Sequence, residues 1–120
     1  MKRSLLEFLQ DILVAIAEIE SFVEGVDFDG FVVSREKLLA VIKLLEIIGE
    51  AVKQIPKDRR ALYPDIPWKA IAGSRDIFVH QYWDIDMSVV WSTVQVALPL
   101  LKPVVVQMIQ QEERILLEDV

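Results

Sequence analysis

Apolar side chains recur every three to four positions along most of this chain, and no run alternates with a period of two. That rhythm commits the chain to helices and leaves no segment suited to a sheet. Leu5, Phe8, Leu9, Ile12, Ile16, Ile19 and Val23 share one face of a first helix, expected from about Ser4 to Val23. Gly25 and Gly30 bracket a short connection. A second helix starts at Ser34, a residue type that suits an N-cap, and runs to about Gln54 or Ile55. It is apolar on two sides, with Leu38, Val41, Ile42, Leu45, Ile48 and Val52 on one and Leu39, Leu44, Ile47 and Ala51 on the other. A helix so patterned touches more than one neighbour. Gly49 leaves room there for a second backbone, at a propensity cost of about 1 kcal/mol.

Proline punctuates the remainder. Pro56, Pro64 and Pro67 mark a loop with a single turn around Asp58–Leu62. Pro67 fits the first turn of a third helix, which carries Trp68, Ile71, Ala72, Arg75 and Val79 toward His80. Asp84 or Asp86 caps a fourth helix backed by Val89, Val90, Val94 and Ala97. Pro99 and Pro103 are expected to bend or break it, with a final helix fading into Gln110-Gln111-Glu112-Glu113. Without repeats, low-complexity tracts or a linker, the expectation is one domain over residues 1–120. Its class is all-α, an up-and-down bundle of about four to five helices.

Composition narrows the function. A chain of 120 residues can bury a core without staples, and the absence of cysteine removes disulfides, thiolate metal sites and a cysteine nucleophile. With one histidine as well, no metal site is expected. Apolar residues make up 53% of the chain, more than a monomer of this size needs, which points to a helical oligomer. Charged residues are expected to interrupt every apolar stretch before the ~18 residues of a membrane span. Glu7, Gln10 and Asp11 likewise break what would be a signal peptide's apolar core, so the reading is a cytoplasmic protein with no membrane association. The net charge of −6 argues against broad nucleic-acid binding. Its distribution does not: Lys53 to Arg75 holds six basic side chains against Asp58 and Asp65, net +4, leaving −10 for the rest. A polyanion is drawn to such a local surface, unless Lys57-Asp58-Arg59-Arg60 is only a solvated turn.

The chemistry concentrates in Gly73-Ser74-Arg75-Asp76-Ile77-Phe78-Val79-His80-Gln81-Tyr82. Arginine grips a phosphate with a planar fork of donors, histidine moves a proton near neutral pH, and tyrosine offers a hydroxyl. The trio Arg75, His80 and Tyr82 suits work on a phosphodiester. At about 100° per residue, Arg75 and Tyr82 fall within about 20° of each other on a helix, whereas Arg75 and His80 stand about 140° apart. Arg75 and His80 meet at one phosphate only if the helix ends or distorts near His80, or if two chains share the site, as a two-fold dimer allows.

The pattern Arg75-x4-His80-x-Tyr82 resembles the signature of the HEPN superfamily, in its HepT-like branch. Leu45-Glu46-Ile47-Ile48-Gly49-Glu50-Ala51, Tyr63-Pro64-Asp65-Ile66-Pro67-Trp68, Ile85-Asp86 and Val90-Trp91 resemble that branch in the expected order, so the likeness runs from about Leu5 to Leu101. The resemblance implies a homodimer with the paired motifs in a cleft between subunits. It implies cleavage of RNA, without metal or cofactor, by attack of the 2′-hydroxyl on the adjacent phosphate. Arg75 would hold the phosphate and His80 would transfer the proton. Asp76 stands where the family often has asparagine; it favours imidazolium at His80 and repels phosphate. The resemblance also implies a partner, a minimal nucleotidyltransferase antitoxin (MntA), that adenylylates Tyr82 and so places a phosphodiester beside Arg75. DNA is not an expected ligand.

Plainer roles exist for the same residues. Arg75 has possible partners in Asp76, Asp84 and Glu50, and Tyr82 can serve as a core aromatic. Trp68 and Trp91 read as core or interface anchors, while Trp83 is placed either in the core or beside the cleft. Glu46 and Glu50 are either held by buried partners or face solvent. Gly73-Ser74 with Asp84-x-Asp86 superficially resembles a nucleotidyltransferase motif, but that motif needs carboxylates on a strand, and helix capping explains these. The competing function is a catalytically inactive HEPN helical dimer acting as a protein-interaction module, favoured by Asp76 and the net charge.

Overall fold

The computed structural model describes residues 3–74 and 84–118. Among them the regular structure is entirely helical: α1 (Leu5–Val23), α2 (Phe28–Val33), α3 (Arg35–Val52), α4 (Lys57–Ala61), α5 (Trp68–Gly73) and α6 (Met87–Glu118). The last spans 32 residues. At 1.5 Å per residue it is about 48 Å long, and it accounts for nearly the whole 51 Å long dimension of the molecule.

The helix starts follow local chemistry. Ser4 caps α1: its Oγ accepts the amide of Glu7 at 3.2 Å and donates to the Glu7 carboxylate. After α1, Gly25 takes a φ of +70°, the left-handed conformation that ends a helix at little cost only in glycine. The connection expected between Gly25 and Gly30 is instead a helix. Asp27 Oδ1 accepts the amide of Gly30 at 2.8 Å, and this cap turns six residues into α2, whose Phe31 is fully buried. Ser34 then closes α2 and caps α3 by accepting the amide of Lys37.

The expected apolar faces are the ones that pack. Leu9, Ile12, Ile16 and Ile19 of α1 are buried against α3 and α6. On α3, Val41, Ile42, Leu45, Ile48 and Val52 are buried, and Leu44 and Ala51 of the second side with them, because α3 contacts α1, α2 and α5. Leu38 and Leu39 are half-buried, and Ile47 is 38% exposed. Trp91 fits the anchoring role expected of it, with its ring centroid 5.1 Å from Phe31 and 6.1 Å from Phe28.

The expected break at Pro99 or Pro103 does not occur. Two helices anticipated there are one, α6, with Pro103 inside it. Residues Thr93–Ala97 form a π-helical turn, and the amide of Leu98 donates to the carbonyl of Thr93, five residues back. The wider turn accommodates Pro99, which has no amide proton to continue an α-helical ladder. It also keeps the apolar stripe in register. Val90 and Leu98 would stand about 80° apart on a uniform α-helix, yet Val90, Val94, Leu98, Leu101, Val105 and Met108 are all buried on one side. Burying a large aliphatic side chain contributes about 1.5–3 kcal/mol, so the four after the π turn together outweigh a proline cost of about 3 kcal/mol.

Lys102 interrupts the apolar stretch of α6, as expected, but does not lower its mean hydropathy much. Helix α6 contains an 18-residue window of mean hydropathy 1.6, long and apolar enough by length and composition to cross a membrane. Its buried stripe packs on the core like that of any bundle helix, while Val89, Val96 and Leu100 remain about half exposed.

Of Asp84 and Asp86, the two caps expected before α6, it is Asp86 that accepts the amides of Ser88 and Val89 and the Ser88 hydroxyl. These bonds, the Ser88 hydroxyl foremost, hold its carboxyl below the ordinary aspartate range. A lowered value in the folded state means the cap stabilises fully above the unfolded value and is lost as pH falls through the folded one. The melting temperature of Asp86→Ala should therefore lie below that of the parent protein at pH 6–7, with the gap closing as pH drops below about 4. Thermal melts of the two proteins across that range check this, and a gap independent of pH contradicts it.

Candidate functional site

The residues expected to carry chemistry, Arg75, Asp76, His80 and Tyr82, lie outside the described residues, as does Trp83. The elements that lead into and out of them are described. Helix α4 begins after Pro56, whose carbonyl accepts the amides of Arg59 and Arg60 at 3.1 Å. The indole Nε1 of Trp68 donates to the carbonyls of Arg60 and Tyr63, both at 3.0 Å. Trp68 therefore ties the start of α5 to the end of α4 across the Tyr63-Pro64-Asp65-Ile66-Pro67 turn. Ile71 sinks fully into the core beside α3. Ser74 is 4% exposed, and its hydroxyl donates to the carbonyl of Ala70 at 3.4 Å. The chain is thus pinned up to the residue before Arg75. Beyond the motif, Asp84 is exposed and leads through Ile85 to the Asp86 cap.

That cap bears on the nucleotidyltransferase-like spacing of Gly73-Ser74 with Asp84 and Asp86. Gly73 ends a helix, Ser74 is bonded back into it, and Asp86 is occupied by the first turn of α6. Capping explains Asp86.

The +4 stretch resolves into two parts. Arg59 turns toward the C-terminal half of α6, where Nη1 lies 2.6 Å from Glu112 Oε1 and Nη2 donates to Gln111 at 3.3 Å. This half-buried pair links α4 to a position 53 residues away. Lys53, Lys57, Arg60 and Lys69 line an open groove of about 640 Å³ together with Pro64, Trp68, Ala72 and Gly73. No carboxylate among the described residues lines it. The three lysines are exposed and Arg60 is half buried. Arg60 Nε is buried with no hydrogen-bond partner among the described residues, a state that costs about 1–3 kcal/mol for such a donor. Lys57-Asp58-Arg59-Arg60 is accordingly a helical turn with two half-buried arginines, more than a solvated loop. The sequence indicated the basic stretch but not the division within it, because Glu112 is remote in the chain.

Other assignments fall out plainly. Glu46 pairs with Lys43 at 3.6 Å on the surface of α3, and Glu50 is exposed on the same helix.

An all-helical domain with a groove lined by four cations, in a chain that carries Arg75-x4-His80-x-Tyr82, offers a polyanion one local surface of attraction. Comparison with known proteins makes the reading specific. The family model described as ribonuclease HepT-like matches residues 12–108. The chain is 45% identical over 102 residues to "Probable ribonuclease HepT" of Thermococcus cleftensis, covering 85% of this chain and 93% of that one. It is 45% identical over 101 residues to "Putative RNase MJ0125" of Methanocaldococcus jannaschii, covering 84% and 87%. It is 36% identical over 106 residues to "Putative RNase TTE0752" of Caldanaerobacter subterraneus, covering 88% and 95%. No solved structure gave a significant match. The chain belongs to the HepT-like ribonuclease family.

Proposed function

We propose that this protein is a metal-independent endoribonuclease, the toxin of a toxin–antitoxin pair, acting in the cytoplasm as a homodimer. The observation that carries the reading is the Arg75-x4-His80-x-Tyr82 pattern in a chain of this family. Arg75 neutralises charge that builds on the phosphate oxygens in the transition state. His80 takes the proton from the 2′-hydroxyl or returns one to the departing 5′-oxygen. The bond formed joins the 2′-oxygen to phosphorus, the bond broken joins phosphorus to the 5′-oxygen, and the products are a 2′,3′-cyclic phosphate and a 5′-hydroxyl.

The dimer brings Arg75 of one chain toward His80 of the other, which a straight helix in one chain would hold apart. Exposed Val89, Val96 and Leu100 on α6 supply apolar surface for such an association. Asp76, one turn before His80, favours its protonated form and suits it to the acid role.

Tyr82 is the control point. A nucleotidyltransferase partner transfers adenosine monophosphate from ATP to the Tyr82 oxygen, releasing pyrophosphate, and the new phosphodiester occupies Arg75. Incubation with such a partner and ATP should increase the intact mass by one or more adenylyl groups and silence RNA cleavage. Tyr82→Phe should gain no mass and stay active under the same treatment. Modification of Tyr82→Phe to the same extent contradicts the assignment.

A further inference from the structure

We infer that the groove of Lys53, Lys57, Arg60 and Lys69 is the track for the RNA strand next to the cleaved phosphate, and that the substrate is single-stranded. The inference rests on the ribonuclease reading and extends it to how RNA is held. Four cations line this groove and no carboxylate among the described residues does, in a chain whose net charge is −6. It is therefore the place where a polyanion meets attraction instead of the repulsion of the remaining surface.

The groove is also built to keep its shape. Trp68 is held by two carbonyls, and Arg59, the neighbouring cation, is committed to Glu112. Arg60, half buried in the wall, presents a cation whose position is constrained. The volume of about 640 Å³ lies in the range of ~300–1,000 Å³ that holds ligands of nucleotide size. Position supplies the connection to the chemistry. Gly73, which lines the groove, stands two residues before Arg75 in the chain. The reaction selects the strand: attack by the 2′-oxygen in line with the departing 5′-oxygen requires a backbone free to rotate, which a paired A-form helix does not provide.

Binding separates this inference from catalysis. The probe is a fluorescent 2′-O-methyl oligonucleotide, which lacks the attacking hydroxyl, read by anisotropy across a salt series. The parent protein and His80→Ala should bind it alike. The combined Lys53→Ala, Lys57→Ala and Lys69→Ala variant should bind at least 10-fold more weakly. Its plot of log affinity against log salt should flatten by about 0.7 per lost contact, roughly 2 in all. A control with the same charge change at exposed positions outside the groove, Lys43→Ala with Lys102→Ala and Arg114→Ala, should keep most of the affinity. A duplex of the same sequence should compete poorly. Wild-type affinity and salt slope in the groove variant overturn the inference. So does an equal loss in the control, equal competition by duplex, or failure of the parent protein to bind the strand. Binding lost in the groove variant of a protein that cleaves no RNA sustains the groove and contradicts the catalysis.

Discussion

Replacing His80 by alanine should lower metal-free RNA cleavage by about 10²–10⁴-fold, the usual effect of removing a positioned acid or base. Replacing Arg75 by alanine should lower it by about 10²–10³-fold, as loss of a donor to a developing oxyanion does. Both variants should retain the helical circular dichroism and the melting temperature of the parent. The buried cluster among the described residues is built by α1, α2, α3, α5 and α6. The two inactive proteins also test the shared site. In a dimer that joins Arg75 of one chain to His80 of the other, a mixed dimer of Arg75→Ala and His80→Ala has one intact site. Unfolding and refolding an equal mixture should then restore about one quarter of the parent activity, since half the dimers are mixed. No recovery places Arg75 and His80 of the same chain at one phosphate and contradicts the composite site.

The largest structural effect is expected at Phe31. It is fully buried, and its ring packs on Trp91 at 5.1 Å between centroids. Phe31 thereby joins α2 to the first turns of α6, the helix that carries the chain away from the motif. Phe31→Ala should cost about 3–5 kcal/mol through lost transfer energy and the cavity left behind. For a domain of this size that corresponds to a fall in Tm on the order of 10–20 °C. Val33, two residues on and 83% exposed, should shift stability by less than about 0.5 kcal/mol on replacement by alanine. Thermal melts of both variants check the contrast, and a Phe31→Ala protein within a few degrees of the parent would contradict the packing account.

Local chemistry made the long helices legible. The 3.6-residue stripe of α1 and the Ser34 and Asp86 caps could be read directly, because neighbouring side chains and backbone amides decide them. Helix α2 escaped notice because six residues between Gly25 and Ser34 are too few to show a period, and the Asp27 cap decides the matter. The α6 reading failed for the opposite reason. Pro99 and Pro103 state a local preference that the buried stripe from Leu98 to Met108 overrides through packing, helped by a π turn that no sequence rule announces. At the site, spacing was enough to single out Arg75, His80 and Tyr82. The composition of the basic groove depends on where Arg59 goes, and that is settled by Glu112, distant in sequence.

The central claim is the reaction itself, and the chemistry of the RNA ends tests it most directly. The protein is purified without its partner, shown by intact mass to be unmodified at Tyr82, and given a labelled RNA pool in excess chelator. The account requires fragments ending in 2′,3′-cyclic phosphate and beginning with 5′-hydroxyl, absent with the folded His80→Ala and Arg75→Ala proteins. Fragments ending in 3′-hydroxyl that form only with added metal would contradict it. So would intact RNA of every class after incubation with folded, unmodified dimer, a result that assigns the chain to protein interaction instead.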